Sequence, residues 1–117
     1  MIREPELRQS IVEICHWMYR QGYIAAGDGN VSALLHGGQQ ILVTPSGVHK
    51  GFVKESDLVV VDRAGKRLRG GGKPSSELRM HQLCYDERPD VHAVVHAHPP
   101  MTIALAMAGV SMAQCLL

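Results

Sequence analysis

The chain has 117 residues, enough for one small domain and too few for two. Hydrophobic residues make up 45% and charged residues 20%, ordinary globular usage that excludes the apolar-poor, charge-rich composition of a disordered segment. Twelve Lys and Arg against eleven Asp and Glu leave a net charge of +1, and the basic residues are scattered rather than gathered into a stripe, which argues against a nucleic-acid partner.

The opening residues, MIREPELRQS, carry both signs of charge and lack the apolar run of a secretory signal. Leu7, Ile11, Ile14, Cys15 and Met18 then recur at three- and four-residue steps and predict a helix over 7–19, with Pro5 suited to its first turn and Gly22 to its stop. Glycines in GDGNVSALL mark a turn before a weakly alternating strand from Val31, and a short apolar run at 40–43 forms the second strand of a hairpin turning at Gly37 and Gly38. TPSG at 44–47 breaks that strand, and a third strand is expected over 58–62.

Gly70, Gly71 and Gly72 lead into Lys73, Pro74, Ser75 and Ser76, a loop ending in residues that favour a helix start, so a second helix is expected over 76–86. Pro89 follows it, and 91–98 reads as a strand with a two-residue period that puts Val91, Ala93, Val95 and Ala97 on one face and His92, Val94, His96 and His98 on the other. Pro99 and Pro100 end this strand, and 101–108 predicts a last helix, stopped by Gly109 and packed on the sheet. No segment approaches the roughly 20 apolar residues of a membrane span, and the expected setting is the cytoplasm. Cys15, Cys84 and Cys115 are odd in number and far apart, so they read as small buried hydrophobes rather than a disulfide framework.

Two histidines two apart on a strand project from the same face, so the His96 and His98 imidazoles could share one ion; a pair at this spacing also arises by chance. Glu77, expected in the first turn of a helix, is a third hard ligand or a proton-transfer group, or simply a favourable acid near the positive end of the helix dipole. His81, one turn on, could orient Glu77 and is not counted as a ligand. Ser75 and Ser76, at a helix start with unpaired N–H groups, make a candidate phosphate cradle, although N-capping explains one serine equally well. The pairs Gly29-Asn30 and Ser46-Gly47 are two further loops where backbone can approach an anion.

In order along the chain, GDGNVS, TPSG, KPSSE and VVHAHP resemble the successive motifs of the class II aldolase and adducin family, and the match covers essentially the whole sequence. The resemblance implies a three-layer α/β/α sandwich around a largely antiparallel sheet, with residues 1–117 the N-terminal part of a single, truncated domain. It implies that Gly29, Asn30, Ser46, Gly47, Ser75 and Ser76 hold a substrate phosphate, that Glu77, His96 and His98 bind Zn2+, one ion per subunit of the complete protein, and that Glu77 is the catalytic acid/base. The activity implied is retro-aldol cleavage of a ketose 1-phosphate through a zinc-stabilised enediolate, by a homotetramer with a phosphorylated sugar as its partner. Epimerisation of a phosphopentulose at C4, decarboxylation and dehydration use the same kind of site, and adducin-type members are binding modules without catalysis. The family's third zinc histidine and a tyrosine would lie beyond residue 117, so the 117 residues are expected to bind zinc weakly and to be inactive alone. Missing strands are expected to leave an apolar sheet edge exposed.

Overall fold

A computed structural model of the chain describes residues 2–113, so Cys115 and the closing run CLL fall outside the described residues. Helix α1 (Glu4–Arg20) opens with Pro5 in its first turn and with the Glu6 carboxylate accepting from the Arg3 N–H at 3.3 Å. It closes as Gly22 enters the left-handed region (φ 75°) and the Tyr23 N–H reaches back to the Met18 carbonyl at 2.9 Å.

The sheet comprises β1 (Asn30–Leu35), β2 (Gln40–Val43), β3 (Val59–Asp62), β4 (Arg67–Arg69) and β5 (Ala93–His96). Its spatial order is β4-β3-β2-β1-β5, and every pairing is antiparallel. The first two strands form the hairpin expected at Gly37 and Gly38, where a 3-10 turn (His36–Gly38) with positive φ reverses the chain. Between β4 and β5 the chain crosses the sheet through α2 (Leu78–Glu87) and reaches the far edge beside β1.

Strand alternation divides the core into two layers. On one face Val31, Ala33, Leu35, Leu42 and Val60 meet Ile11, Cys15 and Met18 of α1. On the other, Ile41, Val43, Val59 and Val61 meet Leu78 and Tyr85 of α2. The result is the three-layer α/β/α sandwich with an antiparallel centre. Each fully buried Val, Leu or Ile contributes about 1.5–3 kcal/mol relative to exposure, so these two layers hold the frame on which the loops are mounted.

Four local expectations are corrected. Helix α2 begins at Leu78 rather than Ser76, because the preceding backbone is engaged elsewhere: Pro74 bridges Pro45, the Ser75 N–H donates to the Thr44 carbonyl and the Leu78 N–H to the Ser75 carbonyl. Glu77 therefore occupies the capping position and not the first turn. Strand β5 is only four residues long, so His96 ends it and His98 lies beyond it. Strand β4 was not expected; its Arg-Leu-Arg sequence is wholly exposed and carries no apolar alternation.

The last helix, α3 (Pro100–Met107), does not pack on the sheet: from Pro99 and Pro100 it runs outward, with every residue exposed and Met107 84% accessible. Its neighbour β5 borders the sheet, and Ala93 and Val95 are also exposed, the apolar edge that the sequence leads one to expect. Cys15 is buried, whereas Cys84 on α2 is only half-buried.

Candidate functional site

The motif segments meet at one end of the sheet. The TPSG and KPSSE loops are joined backbone to backbone, the Ser46 N–H donating to the Lys73 carbonyl at 2.9 Å and the Ser75 N–H to the Thr44 carbonyl at 3.0 Å. This short antiparallel contact brings two phosphate-cradle candidates together although almost thirty residues of chain separate them. Gly29 seats the third loop against β5. Its φ is 74°, and a Cβ there would fall 2.6 Å from Ile24 Cγ2 and 2.9 Å from the His96 carbonyl, so both conformation and space require glycine. His98 is tied to the exit of α1, its N–H donating to the Tyr23 carbonyl at 2.8 Å.

An open cleft of about 200 Å3 lies between these loops, and it is lined by Gly29, Asn30, Ser46, Gly47, Ser75, Ser76, Glu77 and His98. All six residues expected to hold phosphate are there, with the expected acid/base and one of the two histidines. His96 stands behind Glu77, its Nδ1 2.9 Å from Glu77 Oε2. Sequence reasoning did not single out Gly27, Asp28, Pro45 and Lys50, which also line the cleft. Lys50 is the notable omission: only 2% exposed, it donates from Nζ to the carbonyls of Gly27 (3.1 Å) and Val48 (3.0 Å) and so clamps two of the loops. Burial lowers its pKa. No local pattern marks a lysine as buried; the signal is its tertiary surroundings.

The serines are not equivalent. Ser75 is buried and its Oγ accepts from the Glu77 N–H at 3.2 Å, so it caps the turn before α2 while facing the cleft; Ser76 is exposed. Glu77 is held by Asn30, whose Nδ2 donates to Oε2 at 2.6 Å. That hydrogen bond is the main reason the Glu77 pKa is lowered, with the nearby His96 adding to the effect. Asn30 is in turn bonded through Oδ1 to Nε2 of His81, a residue with no exposure. His81 thus bears on Glu77 through Asn30 rather than directly.

Two imidazoles and a carboxylate are the donor chemistry of a zinc site. The His96 and His98 ring centroids are 4.9 Å apart. His96 Nδ1 is buried without a hydrogen-bond partner, because its close approach to Glu77 lies off the direction a hydrogen bond needs. An unpaired buried nitrogen between a carboxylate and a second imidazole fits a cation. The set is nonetheless open: among the described residues no group of three or more His, Cys, Asp or Glu is disposed to hold a metal ion. His98 instead faces Asp28, with 4.0 Å between Nδ1 and Oδ2.

Residues 9–116 match the family described as Class II Aldolase and Adducin N-terminal domain. The chain belongs to the class II aldolase and adducin family. Among its relatives in that family, the L-fuculose phosphate aldolase of Methanococcus vannielii is 43% identical over 77% of this chain and 48% of its own length. The methylthioribulose-1-phosphate dehydratase of Granulibacter bethesdensis is 42% identical over 85% of this chain and 46% of its own length. A solved L-fuculose 1-phosphate aldolase superposes with a TM-score of 0.82 at 31% identity, covering 94% of this chain and 51% of that one. The chain thus spans about half the length of the class II aldolase relatives it matches. No helix among the described residues is long and apolar enough to cross a membrane.

Proposed function

We propose that residues 1–117 are the N-terminal part of a single class II aldolase-like domain, and that the complete protein is a metal-dependent lyase cleaving a ketose 1-phosphate. The observation that carries this reading is the single cleft in which the glycine and serine loops face Glu77 and His98, with His96 directly behind. Backbone at Gly29 and Gly47, the Asn30 amide and the hydroxyls of Ser46, Ser75 and Ser76 would anchor the phosphate end of the substrate. Binding energy from that nonreacting end is then available to orient the reacting carbons.

Glu77, His96 and His98 would hold Zn2+, which when bound supplies Lewis-acid stabilisation of the charge developing on the substrate carbonyl oxygen. In the addition direction the Glu77 carboxylate takes a proton from the carbon beside the carbonyl; in cleavage it returns that proton as the new C–H bond forms. The hydrogen bond from Asn30 lowers the Glu77 pKa and so keeps the side chain ionised, the form that accepts a proton. A cytoplasmic homotetramer with one zinc per subunit completes the reading, which rests on the family and on relatives named as sugar-phosphate lyases. Dehydration of a phosphorylated ketose is the second reading, favoured by the 42% identity to a dehydratase, since abstraction of a proton beside a carbonyl begins that reaction too.

The test is turnover of L-fuculose 1-phosphate and of methylthioribulose 1-phosphate by the full-length protein, with Glu77→Gln alongside. Release of dihydroxyacetone phosphate is expected, with kcat lowered about 10²- to 10⁴-fold in the variant. Dehydration without cleavage would favour the second reading, and unchanged turnover in Glu77→Gln would remove the acid/base role.

A further inference from the structure

Behind Glu77 and Asn30 lies a row of polar side chains, those of His81, Ser32 and Tyr85, that the reading above does not use. Tyr85 OH is 2.6 Å from Ser32 Oγ, Ser32 Oγ is 2.7 Å from His81 Nδ1, His81 Nε2 contacts Asn30 Oδ1, and Asn30 Nδ2 donates to Glu77. Tyr85 and Asn30 are each 3% exposed, and Ser32 and His81 not at all. The row runs along one strand and one helix: Asn30 and Ser32 share a face of β1, while His81 and Tyr85 are one turn apart on α2.

Its direction follows from the donor and acceptor inventory. Asn30 presents Nδ2 to a carboxylate, so Oδ1 faces His81, and an amide oxygen only accepts. Nε2 of His81 must therefore carry the proton. A neutral imidazole has one N–H, so Nδ1 accepts, which makes Ser32 a donor to it and leaves Ser32 Oγ to accept from the Tyr85 hydroxyl. Tyr85 donates at the head, Ser32, His81 and Asn30 are each used once as donor and once as acceptor, and the row ends on the carboxylate. Burial holds His81 at about 4 and Tyr85 at about 12, so both are neutral near pH 7 and the row aligns donors without carrying charge.

We propose that His81 is a positioning residue that, as the Nε2–H tautomer with Nδ1 accepting from Ser32, holds the Asn30 amide with its NH2 group toward Glu77. An asparagine amide has two orientations of nearly equal shape. The Glu77 carboxylate only accepts and so sets the direction of the row; Glu77 itself sits half-exposed at a capping position, and the buried partners of Asn30 hold the amide in that orientation. The inference rests on the reading of Glu77 as the acid/base, since that is what makes the orientation matter for turnover.

Two measurements test it in the full-length protein. Ring 15N NMR of the unsubstituted protein is expected to show His81 neutral near pH 7, with a slowly exchanging proton on Nε2; a proton on Nδ1, or on both nitrogens, would overturn the proposal. For kinetics, His81→Leu is expected to lower kcat for L-fuculose 1-phosphate about 10- to 100-fold, and His81→Gln, whose NH2 can donate to Asn30, to recover most of the loss. In a Glu77→Gln background, His81→Leu should cost nothing further. Equal losses in both backgrounds with no recovery by glutamine would make the row structural packing only. Unchanged turnover in Glu77→Gln alone would remove the acid/base reading, whereas the NMR result would still decide the hydrogen-bond row.

Discussion

Gly29 carries two constraints at once, a left-handed backbone and contact with both Ile24 and the backbone of His96. Gly29→Ala should destabilise the fold by about 1–3 kcal/mol, read as a lower urea midpoint at unchanged m-value, because a methyl there overpacks two neighbours with no room to give. Gly47 has a similar φ but open space around it, so its alanine variant should meet only the backbone penalty. At this scale the sequence was informative wherever chemistry depends on residue type and spacing. Every residue expected in the site from Gly29 to His98 lies in or directly behind the cleft. His81 was singled out as a residue able to orient Glu77, but Lys50 and the Ser32 and Tyr85 partners of His81 were hidden, because their importance comes from burial across two or three elements, which no local pattern records.

Among elements, helices and long apolar strands were legible, and the missed piece was β4. Its role becomes clear through an ion pair: Arg69 on β4 grips Glu4 on α1 with two contacts at 3.0 and 2.8 Å, while Arg8 reaches the same carboxylate from the next turn. The hydrogen bond from Arg69 is the largest cause holding the Glu4 pKa at about 2 against an ordinary 4.5, with Arg8 adding to it. The folded form thus binds this proton more weakly than the unfolded chain. The stabilisation is present above about pH 4.5 and is lost as pH falls toward 2. Thermal melts should show Glu4→Gln less stable than the parent near neutral pH, with the gap closing at about pH 2. The start of α2 and the end of β5 were displaced by two residues each for a common reason: backbone groups there bond to other loops instead of continuing their own element.

For the molecule as a whole, the layered architecture was legible through the family resemblance of the motifs, and the four strands and the flanking helices expected from the pattern agree with it. What the pattern misjudged was α3, apolar along its length and yet exposed. The metal donors follow the same division between local and global information. Glu77, His96 and His98 are at most three ligands and do not converge among the described residues. A sample whose intact mass equals that of residues 1–117 should therefore retain well under one zinc per chain after dialysis. Tight one-to-one zinc in such a sample would contradict this.

The pairing of β5 with β1 sets Asn30 directly across from His96 and Ser32 across from Val94. Side chains alternate along a strand, so a slip of a single residue would turn His96 toward α1 and bring Ala97 or Val95 opposite Asn30. With four residues, two of them exposed, β5 has little burial to penalise that slip. The polar cluster then acts as a checksum on strand registration: a misregistered molecule would keep the other four strands and most of both core layers while losing the contact of His96 with Glu77, so under the proposed function the specific activity of the full-length protein also counts its correctly paired molecules.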